Sequence, residues 1–317
     1  MKCRICQNEK KNISFTLTEM MFGYRDKFDY FQCSSCDCMQ IVSHPDDMSK
    51  YYPGDYYSYI IENKLKRPGL FRQLQCQLII RSDKSLLSTI IAYKYKPPSY
   101  YEVLKNLKLF NRSSPVLDIG SGNGELIKNF YRVGYKDLTG IDPYVEKDII
   151  YNKRLRIEKK SLFEVTRQYD VIMLNHSLEH MDHQEKVLKK LETILSKNGR
   201  ILVRIPIVSK PLMDKYGVNV VSLDPPRHFY LHSFKSISLL LERTGFIIEK
   251  IIYDAHEFSC WASEQYQKNI SLHNDPESFL SKKTFSDEQM TSWRNLIIDL
   301  NNKGQSDNIA LYLKKKV

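Results

Sequence analysis

One run of ten residues constrains this chain more than any other. Val116-Leu117-Asp118-Ile119-Gly120-Ser121-Gly122-Asn123-Gly124-Glu125 reads as a strand that ends in a glycine turn and opens a helix. A turn of that composition lets backbone approach a ligand closely. The dinucleotide fingerprint G-x-G-x-x-G would put its third glycine at position 125, whereas the chain has Glu125 and reads G-x-G-x-G. From Ser114 onward, short apolar runs alternate with amphipathic helices. Pro115 to Ile119, Leu138 to Ile141, Tyr169 to Leu174, Ile201 to Ile205 and Phe246 to Tyr253 read as strands. Glu125 to Val133, Gln184 to Leu195 and Phe234 to Thr244 read as helices, so a doubly wound, mostly parallel α/β sheet is expected. A helix near Asp287 to Asn302 and a last strand, Ile309 to Leu313, close the chain.

Charge separates the ligands such a turn can take. Asp118 stands at the carboxyl end of the first strand, where the anionic pyrophosphate of a dinucleotide would be repelled. S-adenosylmethionine has no phosphate and carries an ammonium and a sulfonium, so a carboxylate there favours it. Gly140-Ile141-Asp142 puts a second carboxylate after the next strand, about 20 residues beyond the glycines, placed to accept from both ribose hydroxyls.

Four of the seven cysteines form two Cys-x-x-Cys pairs, Cys3/Cys6 and Cys33/Cys36, separated by a β-prone segment from Ile13 to Phe31. This is zinc-ribbon spacing. A closed tetra-thiolate leaves no position for water or substrate, so its expected role is to hold a small fold together. Cys38 is a spare thiol able to compete with Cys36. The expected domains are a zinc ribbon over 1–50, a tyrosine-rich linker and amphipathic helices acting as a lid over 51–112, and an α/β domain over 113–317. Leu70 to Lys96 carries the helical spacing, and Lys96-Pro97-Pro98 closes it.

The 317 residues hold 48 basic and 37 acidic side chains, a formal charge of +11 that favours an anionic partner. The lysines are scattered, with dense runs only at Lys64 to Arg67 and Lys314 to Lys316, as expected of solvated surface. No run of about 18 apolar residues is present, so no membrane span is expected. The chain opens without the apolar stretch of a secretory signal, and a cytoplasmic location with reduced thiols follows as the expectation.

The glycine turn and its two aspartates resemble the first two motifs of the class I S-adenosylmethionine-dependent methyltransferases, from about Ser114 to Tyr253. The resemblance implies a seven-stranded Rossmann-like sheet. It places Asp118, Gly120, Ser121, Gly122 and Gly124 around the methionine moiety, Asp142 at the ribose, Ser161 and Leu162 at the adenine, and Asn175 beside the methionyl group. The tetra-cysteine module, Tyr52 to Tyr57, Leu178-Glu179-His180-Met181, Asp224-Pro225-Pro226-Arg227-His228 and Ser263 to Tyr266 resemble a narrower group, the zinc-ribbon methyltransferases of bacterial sugar and surface-polysaccharide biosynthesis. A nucleotide-sugar or glycan acceptor is what that resemblance implies.

A sugar hydroxyl is a poor nucleophile and a carbon acceptor needs a proton removed first, so a base near neutral pKa is expected. His180 and His228 are the candidates, with His176 and His232 nearby. Glu179-His180 reads equally as the start of a helix. Arg227 is a candidate for a substrate diphosphate, because its planar fork donates in pairs, and Tyr56 and Tyr57 are candidates to close over the sugar. The competing reading is an RNA methyltransferase that grips RNA through the zinc ribbon. The few bases up to Cys36, opposed by several acids, make a thin phosphate footprint, and Asn175-His176-Ser177-Leu178 stands where base-methylating relatives carry Asn-Pro-Pro-Tyr. A cofactor-binding fold turned scaffold is the non-enzymatic alternative.

Overall fold

Strands buried on both faces read as continuous apolar runs, and Val116–Ile119 (β4) and Leu138–Ile141 (β5) are buried at every position. The computed structural model describes residues 1–53, 69, 73, 100–108, 111–273 and 285–316. The helices expected over Leu70 to Lys96, together with Tyr56 and Tyr57, lie outside the described residues.

Among the described residues the main sheet has eight strands, one more than the seven that the resemblance implied. In chain order they are β4, β5, Ile149–Asn152 (β6), Leu155–Glu158 (β7), Tyr169–Asn175 (β8), Leu195–Pro206 (β9), Phe246–Tyr253 (β11) and Asn308–Lys315 (β12). Their spatial order is β11-β12-β9-β8-β4-β5-β7-β6. β12 runs antiparallel to both neighbours, β6 is antiparallel to β7, and the other pairings are parallel. The chain leaves β4 toward β5 and β7, then returns to lay β8 on the other side of β4. β4 and β8 therefore flank a topological switch point, and their carboxyl ends open the crevice where ligands of such sheets bind.

Tyr100–Asn106 (α1) and Glu125–Arg132 (α2) precede and follow β4, and Gln184–Ile194 (α3) links β8 to β9. Lys210–Tyr216 (α4) lies in the insertion after β9, and Phe234–Arg243 (α5) leads into β11. Phe258–Gln267 (α6) and Asp287–Lys303 (α7) fill the segment before β12. α5 and α7 each start with a serine capping box, which satisfies the first free backbone N–H groups. α7 ends at Gly304 in the left-handed conformation that stops a helix.

The N-terminal segment contributes Ile13–Thr18 (β1), Lys27–Gln32 (β2) and Met39–Ile41 (β3), an antiparallel meander. Its fourth strand is Tyr230–Leu231 (β10), taken from the insertion after β9 and paired with Met39 and Gln40. Residues of the first 50 thus share a sheet with the insertion after β9. Cys3, Ile5, Phe31 and Cys33 share a core with Leu117 and Ile172 of the main sheet, and Leu17, Tyr30 and Met39 share one with Trp261 and Trp293. No helix among the described residues is long and apolar enough to cross a membrane.

Candidate functional site

At the carboxyl edge of the main sheet lies a cavity of about 1130 Å³, larger than one drug-sized ligand requires. Asp118, Gly120, Ser121, Gly122, Asp142, Ser161, Leu162 and Asn175 line one part of it, and His176, Glu179, His180 and His228 another. Gly124 lies just behind, as the left-handed cap of α2 (φ 77°). The turn tolerates little else: a Cβ on Gly120, where φ is +69°, would stand 2.7 Å from the Ser177 Cβ at the end of β8. Any side chain there would push apart the two strand ends that frame the crevice.

β4 and β5 pair in register, Asp118 opposite Gly140, so Asp118 and Asp142 face the same crevice. Asp142 fastens the turn: its Oδ2 accepts from Gly122 N at 2.9 Å and its Oδ1 from Tyr144 N at 2.9 Å. Each oxygen keeps a second lone pair for a ligand hydroxyl. Burial raises the Asp142 pKa, and the two backbone donors work against that rise. Asp118 has no such support. Burial, and then the Asp142 charge, push it up to about 7, so a positively charged ligand would be needed to hold it ionised well below that.

Leu178–His180 forms a single 3-10 turn after β8, separate from α3, whose N-cap is His183, so Glu179-His180 neither begins nor caps that helix. The turn aims His180 into the cavity, where its ring centroid lies 4.8 Å from that of His228. His180 Nδ1 is 2.8 Å from the Arg227 carbonyl oxygen and 3.3 Å from the Tyr52 hydroxyl. His228 Nδ1 is 2.8 Å from the Ser222 carbonyl oxygen. A carbonyl only accepts, so Nδ1 carries a proton in each ring, and Nε2 is the nitrogen left to accept one. Burial lowers the His180 pKa to about 4 against the pull of Glu179, and the ring is a neutral acceptor at pH 7. His232 takes no part: it is buried between Gln184 Oε1 at 2.7 Å and Ser236 Oγ at 2.9 Å.

Arg227 departs from expectation. Its side chain is fully buried, bonded to Asp224 and 3.2 Å from Glu19 Oε1. A guanidinium so paired is not on offer to a substrate diphosphate, and it does not line the cavity. It anchors the loop that carries His228. Sequence reasoning also passed over Glu179, Tyr144 and Phe163, which line the cavity. Glu179 had the clearest signal, an acid adjoining a candidate base.

The four cysteines of the paired motifs converge. Cys3 and Cys36 sulfurs are 3.6 Å apart, Cys6 and Cys33 sulfurs 3.4 Å, and all four lie within 4.8 Å of one another. These are not disulfide distances. A tetrahedron with metal–sulfur bonds of 2.3 Å has edges of about 3.8 Å, so the donor set and spacing fit a zinc ion. Gln40 Nε2 at 3.0 Å and the Ile5 and Cys6 N–H groups at 3.4 Å donate to the Cys3 sulfur, which suits a thiolate. Cys38 is not a fifth member of this group; its buried sulfur lies 3.9 Å from His232 Nδ1.

Residues 97–251 match the family model described as a methyltransferase domain. The chain is 27% identical over 135 residues to the mitochondrial ubiquinone biosynthesis O-methyltransferase of Saccharomyces cerevisiae, a match over 38% of this chain and 43% of that protein. The chain therefore spans less than half the length of this curated relative. Among solved structures, the 1,6-didemethyltoxoflavin-N1-methyltransferase of Burkholderia thailandensis is 12% identical with a TM-score of 0.44, over 90% of this chain and 97% of that one. An S-adenosylmethionine dependent methyltransferase from Mesorhizobium loti is 12% identical with a TM-score of 0.42, over 69% of this chain and 99% of that one. The matched residues run from α1 into β11 and take in most of the mostly parallel Rossmann-like sheet.

Proposed function

We propose that this chain transfers a methyl group from S-adenosylmethionine to a sugar, nucleotide-linked or at a glycan end. One observation carries the reading: two carboxylates at adjacent strand ends and two imidazoles, each with Nδ1 against a backbone carbonyl, line a single cavity. Asp118 would pair with the methionine ammonium, the Gly120 to Gly124 turn would admit the methionyl chain, and Asp142 would hold the ribose hydroxyls. Ser161 and Leu162 would border the adenine and Asn175 the methionyl backbone. When bound, the cofactor supplies a methyl group on a sulfonium that is already a good leaving group.

The chain's own residues do the rest. His180 and His228 are held by backbone carbonyls with lone pairs available, and either can take the proton that the acceptor loses. Their walls keep acceptor and donor at near-attack distance, the largest contribution an enzyme makes to an in-line displacement. Tyr56 and Tyr57 are proposed to close over the acceptor, and Arg227 is withdrawn from that set because its charge is spent on Asp224 and Glu19. Cys3, Cys6, Cys33 and Cys36 are proposed to hold one structural Zn2+, distant in role from the chemistry.

The test incubates the full chain with methyl-labelled S-adenosylmethionine and a panel of nucleotide-sugars and glycans, with RNA as a parallel arm. Label in a carbohydrate supports the reading. Label in RNA alone overturns it in favour of the RNA alternative.

A further inference from the structure

Three hydrogen-bond acceptors meet at one point of the cavity with no donor among them. Glu179 is 1% exposed, lines the cavity, and neither of its carboxylate oxygens has a hydrogen-bond partner. The neighbouring His176 Nδ1 is 3.4 Å from Oε1, out of hydrogen-bond alignment. His180 and His228 give their Nδ1 protons to carbonyls, so both present a lone pair. One oxygen of Glu179 and one nitrogen of each ring lie within 4.8 Å of one another. The next group beyond is also an acceptor: Asp224 Oδ2 is 3.8 Å from His228 Nε2.

A buried carboxylate without a partner is costly unless a ligand supplies donors or positive charge. A primary ammonium supplies both, with three N–H bonds for three acceptors. Acceptors placed about 2.9 Å from one tetrahedral nitrogen stand about 4.7 Å apart, a separation that groups lying within 4.8 Å of one another allow. The other carboxylates on that side of the cavity already have partners: Asp224 is paired with Arg227, Asp254 with Arg204 at 2.6 Å, and Asp307 accepts from Ser222 and Ser259. Glu179 is the one left for an incoming cation among these lining acids.

We propose that the acceptor presents a primary amine to Glu179, His180 and His228, and that this nitrogen is the atom methylated. The proposal rests on the methyltransferase reading above and narrows its acceptor to an amine-bearing sugar. Glu179 binds the ammonium. One imidazole Nε2 takes a proton from it, and the freed nitrogen lone pair forms the N–C bond to the methyl group. The C–S bond breaks with its electron pair going to sulfur, leaving the neutral thioether. The methylated nitrogen is then positively charged and sheds its second proton to solvent through the other imidazole.

The test has a binding arm and a transfer arm on the full chain. With S-adenosylhomocysteine bound, D-glucosamine, D-glucose and N-acetyl-D-glucosamine are titrated calorimetrically into the wild type and Glu179→Gln. Glucosamine is expected to bind at least about 10-fold tighter than the other two, and Glu179→Gln to remove that preference with S-adenosylhomocysteine affinity unchanged. In the transfer arm, nucleotide-linked forms of the three sugars are offered with labelled cofactor, and methyl is expected on the amine nitrogen alone. Equal binding of the three sugars, or a preference that survives Glu179→Gln, overturns the proposal. So does methylation of an oxygen or carbon, which leaves the methyltransferase reading intact. A second equivalent of Mn2+ bound by the wild type and lost in Glu179→Gln assigns the cluster to a metal instead. Failure of S-adenosylhomocysteine to bind at all strikes the underlying reading rather than this one.

Discussion

The Tyr30 hydroxyl donates to the backbone carbonyl of His228 at 2.9 Å, across 198 residues of sequence. Tyr30 belongs to the cysteine-bearing meander and His228 to the cavity wall, so this bond joins the two parts of the chain at the proposed base. Phe229 reinforces it, its carbonyl accepting from Ile41 N at 3.1 Å. Tyr30→Phe keeps the buried ring and deletes the donor. The expected cost is about 1–3 kcal/mol of stability, read as a lower denaturant midpoint at unchanged slope. Turnover should fall while S-adenosylmethionine affinity holds, because the cofactor side of the cavity makes no contact with this bond. Reduced cofactor affinity would show that the two sides are not independent.

Metal removal should act through the same seam. Ser233 Oγ donates to the Cys36 carbonyl at 2.6 Å and Arg243 to the Ile5 carbonyl at 2.8 Å, so the cysteine loops hold both ends of α5. Chelation, or Cys36→Ser, is expected to lower Tm by on the order of 10 °C and to release one zinc per chain. Elemental analysis and a thermal melt of the same sample check this. Unchanged melting after complete loss of metal would contradict a structural role.

Asp118 makes stability and cofactor binding depend on pH in opposite ways. Its pKa is about 7 in the folded chain and about 3.9 when unfolded. Between those values the folded state holds a proton that the unfolded state has lost, so the stability of the cofactor-free protein falls as pH rises from about 4 to about 7. The cofactor ammonium favours the ionised carboxylate, so affinity should climb over the upper part of that range and level off above about 7. Asp118→Asn should flatten both curves. Melts and titrations at matched pH values check the sign, and cofactor affinity that falls with rising pH would contradict the assignment.

The glycine turn was legible from residues alone because its information is local. Gly120, Gly122 and Gly124 take φ values of +69°, +50° and +77°, conformations that disfavour other residues, and Asp118 and Asp142 follow from strand length. The long helices were equally plain: α2, α3, α5 and α7 sit where apolar periodicity put them. The hairpin of β6 and β7 was missed. Each strand has four residues, and Lys153-Arg154 between them and Arg156 within β7 dilute the apolar signal. β10, two residues long, exists only because β3 lies beside it. Arg227 failed for the same reason: Glu19, its partner 208 positions away, cannot be inferred from spacing. What depends on contacts between distant segments was hidden, and the acceptor side of the cavity is made of such contacts.

The central claim is that Asp118 and Asp142 select a cationic nucleoside over a phosphate-bearing one. Calorimetric titration of S-adenosylmethionine and of NAD into the wild type and Asp142→Ala tests it most directly. The account predicts that S-adenosylmethionine binds, that Asp142→Ala weakens it by roughly 1–3 kcal/mol through lost charge-assisted hydrogen bonds, and that NAD gives no heat. Unchanged affinity in the variant, or NAD binding as tightly as the adenosyl ligand, would contradict it.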